Sequence, residues 1–150
     1  MFRDALAHLL EDPNADVRDN ATRTLGYVVN ANPDLATAEL KDALVERLQD
    51  QDAGVIARAA ETLGYVVRAN HALAIPELID VLAYLLQQDR YVCAIFGVIS
   101  VLRVIVEVKP ELVTDRFRDA LRQTLLQNQD FSTDLLDRIR DLRPDLFPAD

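Results

Sequence analysis

TLGYVV is written twice in this chain, at Thr24–Val29 and again at Thr62–Val67, 38 positions later. Sliding residues 3–40 onto 41–78 matches 20 of 38 positions without a gap, so the hexapeptide belongs to a longer period. A third copy follows with a one-residue insertion near Asp89: IDVLAYLLQQD, then YVCAIFGVISVLRVIVEVKPELV. A fourth begins RDALRQTLLQNQD and closes FSTDLLDRIRDLRPDLF. Related strings punctuate the copies: NPDLAT, NHALAI, KPELVT and RPDLFP. A period of this length marks supersecondary units that are each too small to bury their own apolar face and must stack to do so. The expected units are approximately 1–34, 35–72, 73–111 and 112–150 of a single domain.

Within each copy the apolar spacing is helical. Val17, Ala21, Thr24, Leu25, Val28 and Ala31 fall within about a third of a turn of one another at 100° per residue, and Ile79, Leu82, Leu85 and Leu86 form a similar stripe. Asp12, Asn14, Asp50 and Asp52 lie between the two stripes of a copy, where they cap the incoming helix and turn the chain. Pro33, Pro76, Pro110 and Pro144 fall at helix starts or in connections, where a missing N–H costs little. Each copy therefore reads as a hairpin of a helix A and a helix B, with the second helix B at roughly Ala53–Ala69. No useful stretch alternates with period two, so no sheet is expected. Gly26 and Gly64, in mid-helix, predict close helix packing at a propensity cost of about 1 kcal/mol each.

This pattern resembles the HEAT and armadillo family of helical repeats over essentially the whole chain. The best single match is DPNADVRDNATRTLG, in which Asp12 and Pro13 close helix A and Val17 and Arg18 open helix B ahead of Ala21 and Leu25. The resemblance implies an all-α, right-handed α-solenoid of about four helical hairpins, with the B helices lining a concave surface that holds partners. It also implies a ladder, in which a turn aspartate and the arginine six residues later bond across neighbouring repeats. Asp12 and Arg18 have that spacing, whereas Asp50 is followed six residues on by Ile56, so a continuous ladder is not expected. A period of 38 or 39 does not separate the HEAT branch from the armadillo branch. Met1 aligns with Glu39, so the first helix A lacks its opening turn, and whether the array is longer stays open.

Composition narrows the partners. Half of the 150 residues are apolar, enough for a core. With 25 acidic against 16 basic residues the net charge is −9, and no Lys/Arg run exists to neutralise a row of phosphates. Nucleic acid and anionic membranes are therefore not expected partners. The lone Cys93 makes no internal disulfide, and MFRDALAHLLEDPN carries charges where a signal peptide needs an apolar core, so a reducing, cytoplasmic location is expected. The 14 Arg to two Lys, with Asp exceeding Glu by 18 to seven, resemble the acidic proteins of salt-loving archaea, though a GC-rich genome gives the same Arg-for-Lys bias.

Two features exceed what a repeat needs. Tyr27 and Tyr65 share a repeat position off the core stripe, beside Arg23 in the first copy and Arg58 and Arg68 in the second. Tyrosine and arginine are enriched at binding hot spots, while packing along the repeat seam is the competing reading of these tyrosines. The third helix B is apolar nearly all round, with Arg103 and Glu107 as its only charges, and such a helix is either covered on every side or is a binding surface. A covering tail carrying Leu146 and Phe147 is one expectation. The other is a groove floor of Phe96, Val104 and Tyr91 that receives an apolar helix or peptide, rimmed by Tyr65, Arg58 and Arg68. A membrane span fits poorly, because Arg103 would lie well inside the bilayer.

No catalytic constellation emerges. His8 and His71 are distant in the repeat and neither begins a His-Glu pair, which argues against the iron-binding hydroxylases of the resembling family. Its DNA glycosylases need a basic, aromatic-rich groove. One Cys and two His make no ordinary zinc site, and four Gly give no phosphate-cradling loop. With no cofactor and no metal expected, the reading is a non-catalytic protein-interaction scaffold: Phe96 and Val104 as floor, Tyr27 and Tyr65 as anchors, and Arg23, Arg58 and Arg68 pairing with acidic groups. The alternatives are a small-molecule or chromophore-binding protein of lyase type, and a homo-oligomer formed through the third repeat.

Overall fold

The structure, a computed structural model, describes residues 2–87, 92–127 and 134–147. Among these are eight α-helices and no strand: α1 (Phe2–Leu9), α2 (Ala15–Ala31), α3 (Ala38–Arg47), α4 (Ala53–Ala69), α5 (Pro76–Gln87), α6 (Val92–Val108), α7 (Asp115–Gln127) and α8 (Asp134–Leu142). Each odd-numbered helix packs on its successor as a hairpin, and the even-numbered B helices stack in the order α2, α4, α6, α8, which is an α-solenoid. The region of the third-copy insertion at Asp89 lies outside the described residues.

The helix boundaries follow from local chemistry. Asn14 and Asp52 are N-caps that accept from the N–H of Asp16 and Val55, and Thr37 and Thr114 do the same for Leu40 and Phe117. Asp12 and Asp50 act one step earlier, each accepting the N–H of the residue two positions on and so tightening the turn. Pro76 opens α5, while Pro33, Pro110 and Pro144 open short 3-10 turns at 33–35, 110–112 and 144–146.

Burial is deepest in the middle of the stack. In α4, which lies between α2 and α6, Val55, Ile56, Ala59, Ala60, Thr62, Leu63, Gly64, Val66 and Val67 are all buried. In α2, which has a neighbouring B helix on one side only among the described residues, the buried set is Ala21, Thr22, Leu25, Gly26 and Val29. The stripe through Val17, Thr24, Val28 and Ala31 is thus rotated relative to expectation: Val28 is half-buried and Ala31 exposed, because α4 covers the flank that carries Thr22 and Val29.

Glycine sets the spacing of the B helices. A Cβ on Gly26 would lie 3.2 Å from both the Tyr65 ring and Thr62 Oγ1, and one on Gly97 would lie 2.7 Å from the Ala57 carbonyl oxygen. The α4–α6 approach at Gly97 admits no side chain at all.

Among the side chains that tie successive copies together are two sets at the helix ends. Arg18 donates twice to Asp50, at 2.9 Å each, and also to the Asp12 and Pro13 carbonyls, so one rung of the expected ladder is present. Ile56, at the arginine position of the second copy, is buried instead. The second set was not foreseen. Asn70 donates to the Ala36 carbonyl, Lys109 to that of Ala74, and Arg143 to those of Pro110 and Val113. Ala36, Ala74 and Val113 occupy one register position, so this ladder runs through all four copies.

The surplus apolar helix is largely absorbed by the core. Ile95, Val98, Ile99, Val101, Leu102, Ile105 and Val106 of α6 are buried, which leaves Ser100, Arg103 and Glu107 exposed and Val104 and Val108 half-buried. Of the expected tail, the described residues join the core only in part. Leu146 is buried, but Phe147 sits beneath the guanidinium groups of Arg118, Arg122 and Arg140, on α7 and α8. Among the described residues no helix is long and apolar enough to cross a membrane.

Candidate partner-binding face

Counting back from the punctuation strings at Asn32, Asn70, Lys109 and Arg143 places the B helices in one register. Gly26, Gly64 and Arg103 are equivalent, and so are Tyr27, Tyr65, Val104 and Arg138. The Tyr65 ring lies on Gly26, and Val104 lies 3.7 Å from the Cβ position of Gly64. Tyr65 is therefore part of the repeat seam. Tyr27 belongs to the first B helix, has no such glycine to lie on, and is 63% exposed.

The next step of that series changes character. Arg103 stands where the earlier copies have glycine, and Arg138 of α8 reaches to Glu107 of α6 with two hydrogen bonds of 2.6 and 2.9 Å. Those bonds hold the Glu107 carboxyl below the usual glutamate range.

Two hollows open on the B-helix face and meet at Ser100. The first, of about 520 Å³, lies toward the N-terminal ends of α2, α4 and α6, lined by Asp16, Asp19, Asp52, Ala57, Arg58, Glu61 and Gly97 among others. The second, of about 620 Å³, lies toward the C-terminal ends of α4 and α6, lined by Arg68, Ser100, Arg103, Val104, Glu107 and Val108. The first is acidic and the second cationic.

The expected binding arginines divide accordingly. Arg58 bonds to Asp19 at 3.2 Å and Glu61 at 3.0 Å. Partial burial works against its charge, yet these carboxylates outweigh that and raise its pKa above the ordinary arginine value. Arg23 pairs with the same Asp19 at 3.5 Å. Arg68 is exposed in the second hollow. Of the expected floor, Val104 lines that hollow, Tyr91 lies outside the described residues, and so does the side chain of Phe96. Among the described residues, no three His, Cys, Asp or Glu side chains converge as metal ligands would.

Sequence reasoning missed Arg103 and the Glu107–Arg138 pair as parts of this face. The register carried the signal for both, because a glycine position that becomes arginine forbids the close approach used before it.

The sequence pattern of HEAT repeats matches residues 3–93. No curated protein matches the chain. The fold is similar to that in a crystal structure of an engineered protein, with a TM-score of 0.66 and 15% identity over 97% of this chain. The chain spans 62% of that protein's length.

Proposed function

The chain belongs to the HEAT-repeat family, and on that premise we propose that it is a non-catalytic protein-interaction scaffold, holding a helix or peptide of another protein along its B-helix face. The observation that supports this reading is the pair of hollows of opposite charge joined at Ser100, on the face where the core needs nothing further. Among the described residues no buried side-chain polar atom lacks a partner, so the core is satisfied without drawing on the exposed Arg68 and Arg103 of this face. Exposed tyrosine and arginine beside small apolar patches are the chemistry of protein recognition.

Affinity capture from a lysate of the source organism tests the proposal, comparing the tagged wild type with Ser100→Arg, which fills the junction of the hollows, and with Tyr27→Ser. Circular dichroism confirms that each is folded. A distinct protein held by the wild type and lost from Ser100→Arg supports the scaffold. Recovery of untagged copies alone moves the function to self-association, and a coloured or ligand-carrying preparation moves it to small-molecule binding.

A further inference from the structure

We infer that the second hollow is a recognition site for an acidic segment of a partner protein, whose carboxylates pair with Arg68 and Arg103 while an adjoining apolar side chain lies on Val104 and Val108. The inference rests on the scaffold reading and specifies the partner's chemistry.

Commitment of charge is the first argument. Arg58 is held by carboxylates of this chain, and so are Arg138 and several others, but Arg68 and Arg103 have no ion pair among the described residues. The one carboxylate lining this hollow, Glu107, is bonded at both oxygens by Arg138 and feels the Arg103 charge without a hydrogen bond to it. The hollow thus presents two guanidinium groups and no unengaged acid.

Contrast is the second. The chain as a whole carries a charge of −9, so an acidic ligand is repelled from most of its surface and attracted here. The neighbouring hollow, with Asp16, Asp19, Asp52 and Glu61 around a single Arg58, excludes the same ligand and so fixes where the segment stops. Planar guanidinium forks match carboxylates in paired geometry. The half-buried valines beside them favour a peptide, which carries apolar neighbours, over a free inorganic anion.

Fluorescence anisotropy with a labelled peptide of Asp, Glu and Leu, titrated with the full chain, tests this directly. A Lys/Leu peptide and a single-stranded oligonucleotide serve as the comparison ligands. The wild type is expected to bind the acidic peptide in preference to both, with affinity falling as salt rises. Arg68→Glu combined with Arg103→Glu is expected to weaken binding by at least about tenfold, as loss of two charge-assisted contacts implies. Arg116→Glu, an exposed reversal on α7, should leave it unchanged. The proposal is overturned if the acidic peptide fails to bind or binds no better than the others, or if the double and control variants behave alike. A protein captured by the wild type and equally by the double variant, but lost from Ser100→Arg, would leave the scaffold standing and this inference fallen.

Discussion

Asp50 shows how one side chain joins two copies. Its carboxylate, 3% exposed, accepts from Arg18 and Arg47 and from the Asp52 N–H. Burial favours the neutral acid, but those donors win and hold its pKa below the ordinary 3.8. A depressed carboxylate contributes stability that is present above the unfolded value and lost as pH falls through the folded one. Asp50→Asn is therefore expected to cost about 2 kcal/mol at neutral pH, the scale for breaking a mostly buried, hydrogen-bonded pair. Urea unfolding across pH checks it: the gap between wild type and variant should begin to shrink below about pH 4, where the unfolded chain's carboxyl takes up a proton, and close only once the folded carboxyl does so too. A gap independent of pH would mean that shape and not charge holds the turn. The arginine half of this pair was legible, since Arg18 has the spacing of the resembling family, but the partner's identity needed the fold, because the two residues are 32 apart.

At the scale of the helix, the glycines make opposed predictions. A Cβ at Gly97 would meet the Ala57 carbonyl at 2.7 Å, backbone that cannot give way, so Gly97→Ala is expected to cost about 1–3 kcal/mol through forced separation of α4 and α6. At Gly64 the nearest heavy atom is the Val101 Cα at 3.7 Å, an ordinary contact, so Gly64→Ala should be neutral or stabilising by up to about 1 kcal/mol through helix propensity. Thermal unfolding of the two variants decides the matter, and equal effects would sink the account. The close packing expected at Gly26 and Gly64 is found at Gly26, whereas the contact at Gly64 is ordinary; the tightest of these approaches, at Gly97, was not foreseen, because Gly97 occupies the position of Arg58 and has no glycine among its repeat equivalents. Helical spacing likewise located α4, Ala53–Ala69, but placed the buried stripe of α2 off centre. A stripe read from one helix assumes one partner. These helices have neighbours on two flanks, and only the stack says which flank is covered.

The whole stack is a row of nearest-neighbour interfaces, and its stability should vary along the row accordingly. The four copies were legible because a solenoid writes its geometry into sequence at a fixed period; the cationic hollow was not, because it arises where the period is broken. Arg103 replaces a glycine, Arg138 replaces a tyrosine or valine, and the nine-residue α8 is tied to α6 by an exposed Arg138–Glu107 pair, whereas α4 and α6 interlock at Gly97. Hydrogen exchange should consequently be slowest in the buried stretches of α4 and α6 and fastest in α8. Arg138→Ala should speed exchange within Leu135–Leu142 and leave Val55–Val67 unchanged, since in a row of nearest-neighbour interfaces a weakly held helix opens without its distant neighbours. If α8 proved as protected as α4, or if the substitution loosened both alike, the chain would open as one cooperative unit. The acidic-segment site would then owe nothing to a loosely held α8. If α8 does open alone, opening frees Glu107 from Arg138 and returns an unengaged carboxylate to the hollow. Binding of an acidic segment should then favour the docked state, and slower exchange in α8 when the peptide is present would register that coupling.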